Sequence, residues 1–236
     1  MARKKILWIC SWYPSEAAPF NGDFIQRQAA AAALFNDIYV IYAEGFPANQ
    51  YPKPVRTIVQ QEGLTEHRVL FPRRYSFWGK FWANYKWFFF IRQAIRRYMV
   101  ENGKPDLVHI HIPYKAAAAG RWIQKRYKIP YLLTEHWGIY NEVERLNFAG
   151  RSSLFKRFTR QAFIGALHCI SVSRYLAEGV RRLVAPVDFS IVPNVADTRL
   201  FFYKERRRTA QFRFIHVSNM VPLKNTDGIL RAFSRL

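Results

Sequence analysis

Several signatures that would settle a function at sight are missing. The chain has 11 glycines in 236 residues but no Gly-x-Gly, which removes the main support for a nicotinamide or flavin site, where such glycines let backbone touch a pyrophosphate. It has no Walker A loop and no Gly-x-Ser-x-Gly elbow, so P-loop and α/β-hydrolase chemistry lose support too. Cys10 and Cys169 are the only cysteines. They are too few for a disulfide framework and lack zinc spacing. Each sits in an apolar run and reads as a small buried core residue. Acidic residues are scarce, 16 against 37 Lys and Arg, for a formal net charge of +21. The excess implies an anionic partner without choosing between nucleic acid, a membrane face and a phosphorylated substrate. No apolar run approaches the roughly 20 residues of a spanning helix. Ile6–Cys10, behind Arg3-Lys4-Lys5, is shorter than the roughly 7–15 apolar residues of a signal peptide. A cytoplasmic protein is expected, with Ile6–Cys10 as its first strand.

Half of the residues are hydrophobic and 17% aromatic, ample for a folded core. Strand-like runs occur at Lys5–Ser11, Asp37–Tyr42, Glu66–Phe71, Asp106–His111, Tyr131–Thr134, Leu167–Val172 and Phe189–Val192. Segments of helical length lie at Phe24–Phe35, Lys80–Glu101, Tyr114–Lys128, Ser152–Ala166 and Arg174–Val184. Short apolar strands alternating with helices predict an α/β fold: a Rossmann-like, mostly parallel sheet with helices on both faces. Ser173 is placed to cap the helix that follows it. Residues 1–203 read as one domain and the charged run 204–210 as a linker. Residues 211–236 read as an incomplete second domain: a strand at Phe212–Val217, a loop, and a helix from about Asn225 still running at Leu236. One strand and one helix cannot close a core, so a truncated form is expected.

In open parallel sheets ligands sit beyond the carboxyl ends of the strands. The first such loop carries Pro19-Phe20-Asn21-Gly22-Asp23-Phe24. Gly22 could let a phosphate or sugar approach helix N–H groups, or Asn21-Gly22-Asp23 could simply turn and cap the helix. His109 and His111 alternate along one strand and so share a face, and His136 follows the next strand. Each could hydrogen-bond a sugar hydroxyl or relay a proton, or be a satisfied, partly buried histidine. A metal is not expected, since no carboxylate or cysteine completes a ligand set.

Arg73–Met99 mixes aromatic and basic residues at helical intervals, including Phe81, Trp82, Lys86, Trp87, Arg92 and Arg96. An interfacial helix on anionic lipid would use such residues, and so would a wide core-packing helix with a solvated basic edge. Base stacking is a third use, but no RNA-binding signature accompanies the stripe and no nucleic-acid partner is expected. Lys224, beside Asn225 at a helix start, suits a diphosphate.

Taken in order, these pieces resemble the family 4 glycosyltransferases, which have the GT-B architecture of two facing Rossmann-like domains. The carriers are Pro19–Ile25, Asp106–His111, Thr134-Glu135-His136, Ile170–Ser173, Ile191–Asp197 with Phe201, and the Lys224-Asn225 loop. The resemblance implies transfer of a sugar from a nucleotide-sugar to a glycan or lipid-linked acceptor, with retention. The nucleotide-sugar is a co-substrate, and no cofactor or metal is implied. By position it implies His136 as catalytic, Gly22, Lys224 and Asn225 on the donor, and Asn21, Asp23, His111 and Tyr114 on the acceptor. No Asp-x-Asp of the other large glycosyltransferase fold is present. Two departures stand out: Ser218-Asn219 replaces the family's usual Gly-Arg, and Pro193-Asn194-Val195 lacks a glycine after Asn. The family's paired glutamates would lie beyond Leu236. A polysaccharide or lipid-linked glycan enzyme, peripheral on the inner membrane face, is the leading expectation. A noncatalytic basic module for anionic membranes or glycans is the alternative. Donor sugar, acceptor and oligomeric state are left open.

Overall fold

The computed structural model describes residues 2–74, 76–141, 147–205, 213–218 and 220–235. The strands are β1 (Lys5–Cys10), β2 (Asp37–Pro47), β3 (Val55–Gln61), β4 (Leu64–Arg73), β5 (Leu107–His111), β6 (Tyr131–Glu135), β7 (His168–Ser171) and β8 (Phe189–Ile191). The helices are α1 (Asp23–Ala33), α2 (Phe77–Asn102), α3 (Pro113–Tyr127), α4 (Ser153–Ile164), α5 (Arg174–Leu183) and α6 (Thr226–Phe233). The strands form one eight-stranded sheet in the order β3-β4-β2-β1-β5-β6-β7-β8. Every neighbouring pair is parallel except β3 with β4.

The alternation of β1 shows how the sheet is covered on both faces. Leu7 and Ile9 enter a core shared with Trp87, Ile91 and Ile95 of α2 and Ala116, Ala119 and Ile123 of α3. Trp8 and Cys10 enter a second core with Ile25, Ala29 and Ala33 of α1. Both cysteines are free and buried, as composition predicts. The Ser173 side chain accepts from Leu176 N–H at 3.2 Å and so caps α5.

Three sequence expectations need correction. β3 was not foreseen: it is an edge strand, mostly exposed on both sides, and it forms an antiparallel hairpin with β4 through Glu62 and Gly63. Residues 213–217 contain no strand, although Phe214 packs on Phe233 at 5.4 Å; Phe212 lies outside the described residues. The last helix stops at Phe233 rather than running on, and Leu236 lies outside the described residues. So do 206–210 of the expected linker, and Asn219.

Candidate active site

β1 is flanked by β2 on one side and β5 on the other, so the connections from β1 and β5 leave in opposite directions. Such a switch point opens a crevice at the carboxyl ends of the strands. Ser11, just past β1, stitches its floor. Its N–H donates to His111 O at 3.1 Å and its hydroxyl to Ile112 O at 2.7 Å. The Ser11 hydroxyl oxygen in turn accepts from the N–H groups of Lys115 and Ala116, capping the first turn of α3.

Three imidazoles gather beside it. His109 and His111 share a face of β5, with ring centroids 4.1 Å apart. Trp8 of β1 stacks on His111 at 4.1 Å and meets His109 edge-on at 4.9 Å. His109 Nε2 bonds Thr134 Oγ1 at 2.7 Å. His111 Nδ1 lies 3.2 Å from Nε2 of His136, with the two rings 24° from parallel. Burial pushes His109 down to about 3 and His136 to about 4, and His111 well below the ordinary value; neighbouring imidazoles add to the shift at His109 and His111. Asn194 acts the other way on His136, favouring its charged form, without an ordinary hydrogen bond to Nδ1.

All three rings are therefore neutral near pH 7. A neutral imidazole donates at one nitrogen and accepts at the other. One hydrogen joins His111 to His136, so of the two outer nitrogens one carries N–H and the other a lone pair. Those atoms, His111 Nε2 and His136 Nδ1, have no hydrogen-bond partner among the described residues. The pair can thus offer either a donor or an acceptor at His136, each choice fixing the opposite tautomer at His111.

Glu135 holds the backbone around His136. Its Oε1 accepts from the N–H of His136 at 2.9 Å and of Trp137 at 2.8 Å, and Oε2 accepts from the Tyr140 hydroxyl at 2.7 Å. Burial raises its carboxyl to about 7, against those three bonds, which favour the ionised form. Aromatic rings rim the opening: Phe24 lies 5.0 Å from His136, and Trp137 lies 5.7 Å from Trp12 and 6.1 Å from Tyr114.

The first loop is fixed from below. Gly22 is the N-cap of α1 at φ 71°, with no side-chain capping bond. A Cβ there would stand 2.8 Å from the carbonyl carbon of Trp12, so glycine is needed for the loop to close on itself. Asn21 donates to the Tyr42 hydroxyl at 3.2 Å and to Glu44 at 3.4 Å rather than capping the helix. Asp23 pairs with Arg27 at 2.6 Å. Deeper, buried Glu66 of β4 receives the Tyr13 hydroxyl at 2.5 Å, Gln26 at 2.8 Å and Arg68 at 2.7 Å. That carboxylate ties β4 to the first loop and to α1.

His136 touches His111 directly, the Gly22 loop reaches His136 through Phe24, and Tyr114 meets Trp137 on the rim, whereas the bonds of Asn21 run to Tyr42 and Glu44. His111, expected on the acceptor, is fully buried and in contact with His136, so it is placed to support that ring rather than to touch an acceptor itself. Lys224 and Asn225 lie in and after a short 3-10 turn, Pro222–Lys224, with Asn225 left-handed at φ 47°. Among the described residues, no hydrogen bond or ring contact joins them to the imidazoles. Trp12 and Phe24 lie in the first loop and Asn194 in the Pro193-Asn194-Val195 loop, both of which the sequence singles out without giving these residues a role; Glu44 carried no sequence signal.

The aromatic helix divides by phase. Phe81, Trp82, Tyr85 and Phe89 are more than half exposed, whereas Trp87 is buried in the core between α2 and the sheet. Trp87 therefore cannot contact a membrane. Arg92 stacks over Trp122 at 4.7 Å and Phe88 at 5.6 Å, turned toward α3 rather than outward. Lys86 donates to Pro72 O at 3.5 Å, and Arg96 is exposed. Among the described residues, no helix is long and apolar enough to cross a membrane.

Residues 30–200 match the family described as Glycosyltransferase Family 4. The chain is 27% identical over 196 residues to a Bacillus subtilis (strain 168) protein named as a teichuronic acid biosynthesis glycosyltransferase, TuaC. The match takes in 80% of this chain and 49% of that one, so the chain spans about half the length of its curated relative. In fold it is similar to sucrose-phosphate synthase from Thermosynechococcus elongatus, with TM-score 0.59 and 14% identity over 84% of this chain and 50% of that one. It is similar also to Arabidopsis thaliana UGT89C1 complexed with UDP-L-rhamnose, with TM-score 0.51 and 9% identity over 87% and 57%.

Proposed function

The chain belongs to Glycosyltransferase Family 4, and on that premise we propose that it supplies the acceptor-side half of an enzyme that transfers a sugar from a nucleotide-sugar to a glycan or lipid-linked acceptor with retention. The observation that carries this reading is a neutral, rigidly backed His136 at the carboxyl end of β6, beside the Gly22 loop and inside an aromatic rim. His136 offers a hydrogen bond to a sugar hydroxyl or moves a proton there. Asn21, Asp23 and Tyr114 lie on the acceptor side, and Gly22, Lys224 and Asn225 serve the donor phosphates. The nucleotide-sugar is a co-substrate, and the reading uses no metal.

The name of the Bacillus relative supports a cell-surface polysaccharide as product. The net charge of +21 and the exposed rings of α2 support a peripheral position on the inner membrane face, through Phe81, Trp82 and Arg96. Each basic side chain near such a surface adds on the order of 1 kcal/mol.

The test is turnover by the full-length parent enzyme with a lipid-linked acceptor and a panel of nucleotide-sugars. His136→Ala should lower kcat by about 100-fold or more, the usual worth of a positioned acid or base. Unchanged turnover would remove His136 from the mechanism, and a product of inverted anomeric configuration would overturn retention.

A further inference from the structure

A cavity of about 510 Å³ opens where β4 runs into α2, some distance along the sheet edge from the imidazoles. Its wall carries three cations, Arg73, Arg74 and Lys86, together with the indoles of Trp78 and Trp82. The connection from β2 to β3 closes the opposite side, through Ala48 and Pro52. No carboxylate is among the described lining residues. Ser76 already caps the helix by accepting from Gly79 N–H at 3.0 Å, so the cavity's positive character comes from side chains. Arg73 also presses on Lys115 at the start of α3, whose pKa is lowered first by burial and then by Arg73. Arg73 and Lys115 thus set like charges between the cavity and the crevice, offset in part at Lys115 by Glu44, and a bound anion would relieve the remainder.

The cavity is continuous with an apolar track. Trp78, Trp82, Tyr85 and Phe89 fall at intervals of four, three and four, hence on one helix face, and all four rings are exposed. Trp82 meets Tyr85 at 5.9 Å. At 1.5 Å rise per residue the track runs about 16 Å, beginning at the cationic cavity. A charged head next to an apolar strip matches an amphiphile whose head carries more than one phosphate charge.

We propose that this cavity binds the diphosphate of a lipid-carried acceptor, with the lipid chain lying along Trp82, Tyr85 and Phe89. Arg74 and Lys86 grip the phosphate oxygens, and Arg73 and Lys115 draw the attached sugar toward the crevice. The inference rests on the lipid-linked acceptor of the proposed function, but its test needs neither donor nor turnover, so either can fail while the other stands.

The test measures binding of the 236-residue chain to geranylgeranyl diphosphate in phosphatidylcholine vesicles, and separately to phosphatidylglycerol vesicles. Two double variants remove equal charge, Arg74→Gln with Lys86→Gln inside the cavity and Lys80→Gln with Lys104→Gln outside it. On the diphosphate the cavity pair should weaken binding about tenfold or more, and the outer pair less than about threefold. On phosphatidylglycerol the two should weaken binding alike, because only the charge count matters there. Arg74→Lys with Lys86→Arg should keep diphosphate binding, and matched circular dichroism shows that every variant is folded. Equal losses for both pairs on the diphosphate would mean a general basic surface and would overturn the site. So would a cavity-pair loss confined to phosphatidylglycerol, which would assign the cavity to lipid headgroups.

Discussion

His111 Nδ1 stands 3.2 Å from His136 Nε2, and through that contact a wholly buried imidazole sets the orientation and tautomer of one at the crevice. Trp8, stacked on His111 at 4.1 Å, holds the support itself in place. His111 is in this sense a positioning residue.

Replacing His111 with Phe keeps the stack on Trp8 and removes the bond to His136. In the full-length enzyme kcat should fall by about tenfold, consistent with one lost hydrogen bond of roughly 1–1.5 kcal/mol, with KM for the acceptor little changed. A pH–rate profile distinguishes this from a general loss of packing. The limb belonging to His136 should move down, because Phe cannot accept the Nε2–H that a charged His136 offers to the neutral His111.

Acid should destabilise the fold before most carboxylates titrate. His67 and His136 are held near 4, His109 near 3 and His111 well below the reference 6.5. Between those values and 6.5 the unfolded chain binds protons that the folded chain refuses, so this stability is present above 6.5 and is lost as the pH falls. Glu135 opposes: its carboxyl, raised from 4.5 to about 7, contributes stability below 4.5 that is lost as pH rises through 7. Four imidazoles outweigh one carboxyl. The melting temperature should drop steadily from pH 6.5 to 4.5, with about 1.4 kcal/mol per pH unit for each net proton. A flat profile would show that the imidazoles are hydrated in solution.

Gly22→Ala should cost more than an ordinary glycine-to-alanine change. At φ 71° the left-handed backbone disfavours a Cβ, and the new atom would meet Trp12 at 2.8 Å. A loss of about 1–3 kcal/mol by denaturant unfolding is expected. In the full-length enzyme KM for the donor should rise, since the start of α1 must shift.

Trp82→Ala and Trp87→Ala, five residues apart on one helix, should behave oppositely. Trp87 is buried at 3% exposure and Trp82 is 55% exposed. Trp87→Ala should lower stability by about 3–5 kcal/mol. Trp82→Ala should leave stability within about 0.5 kcal/mol but weaken association with anionic vesicles. Denaturation and vesicle co-sedimentation on both variants check the pair.

The parallel core of the sheet was legible because β1, β2 and β6 are near-continuous apolar runs and β5 and β7 carry short apolar cores between helical segments. β3 was not, since a strand with neither face buried carries no apolar signal; Val55-Arg56-Thr57-Ile58 alternates only weakly ahead of the Glu62-Gly63 turn. The imidazole cluster was visible through the His109–His111 alternation and the strand end at His136. Its partners were not, because Trp12 and Phe24, at the two ends of the loop from β1 into α1, and Asn194, after β8, are brought together only by the packed sheet. Trp87 shows the limit of counting aromatic residues. Rings occur on every side of the first half of α2, and which of them turn inward is decided by the sheet beneath, not by spacing.

The two halves of α2 are one continuous helix, about 39 Å long at 26 residues. Its first half presents rings outward, while Ile91, Ala94, Ile95 and Tyr98 of its second half are locked against the sheet. Resting on a bilayer by the first half, the molecule would have no freedom to roll independently of it. The height of the crevice above the lipid, and the angle at which an acceptor enters, would then be set by how the sheet grips its own helix.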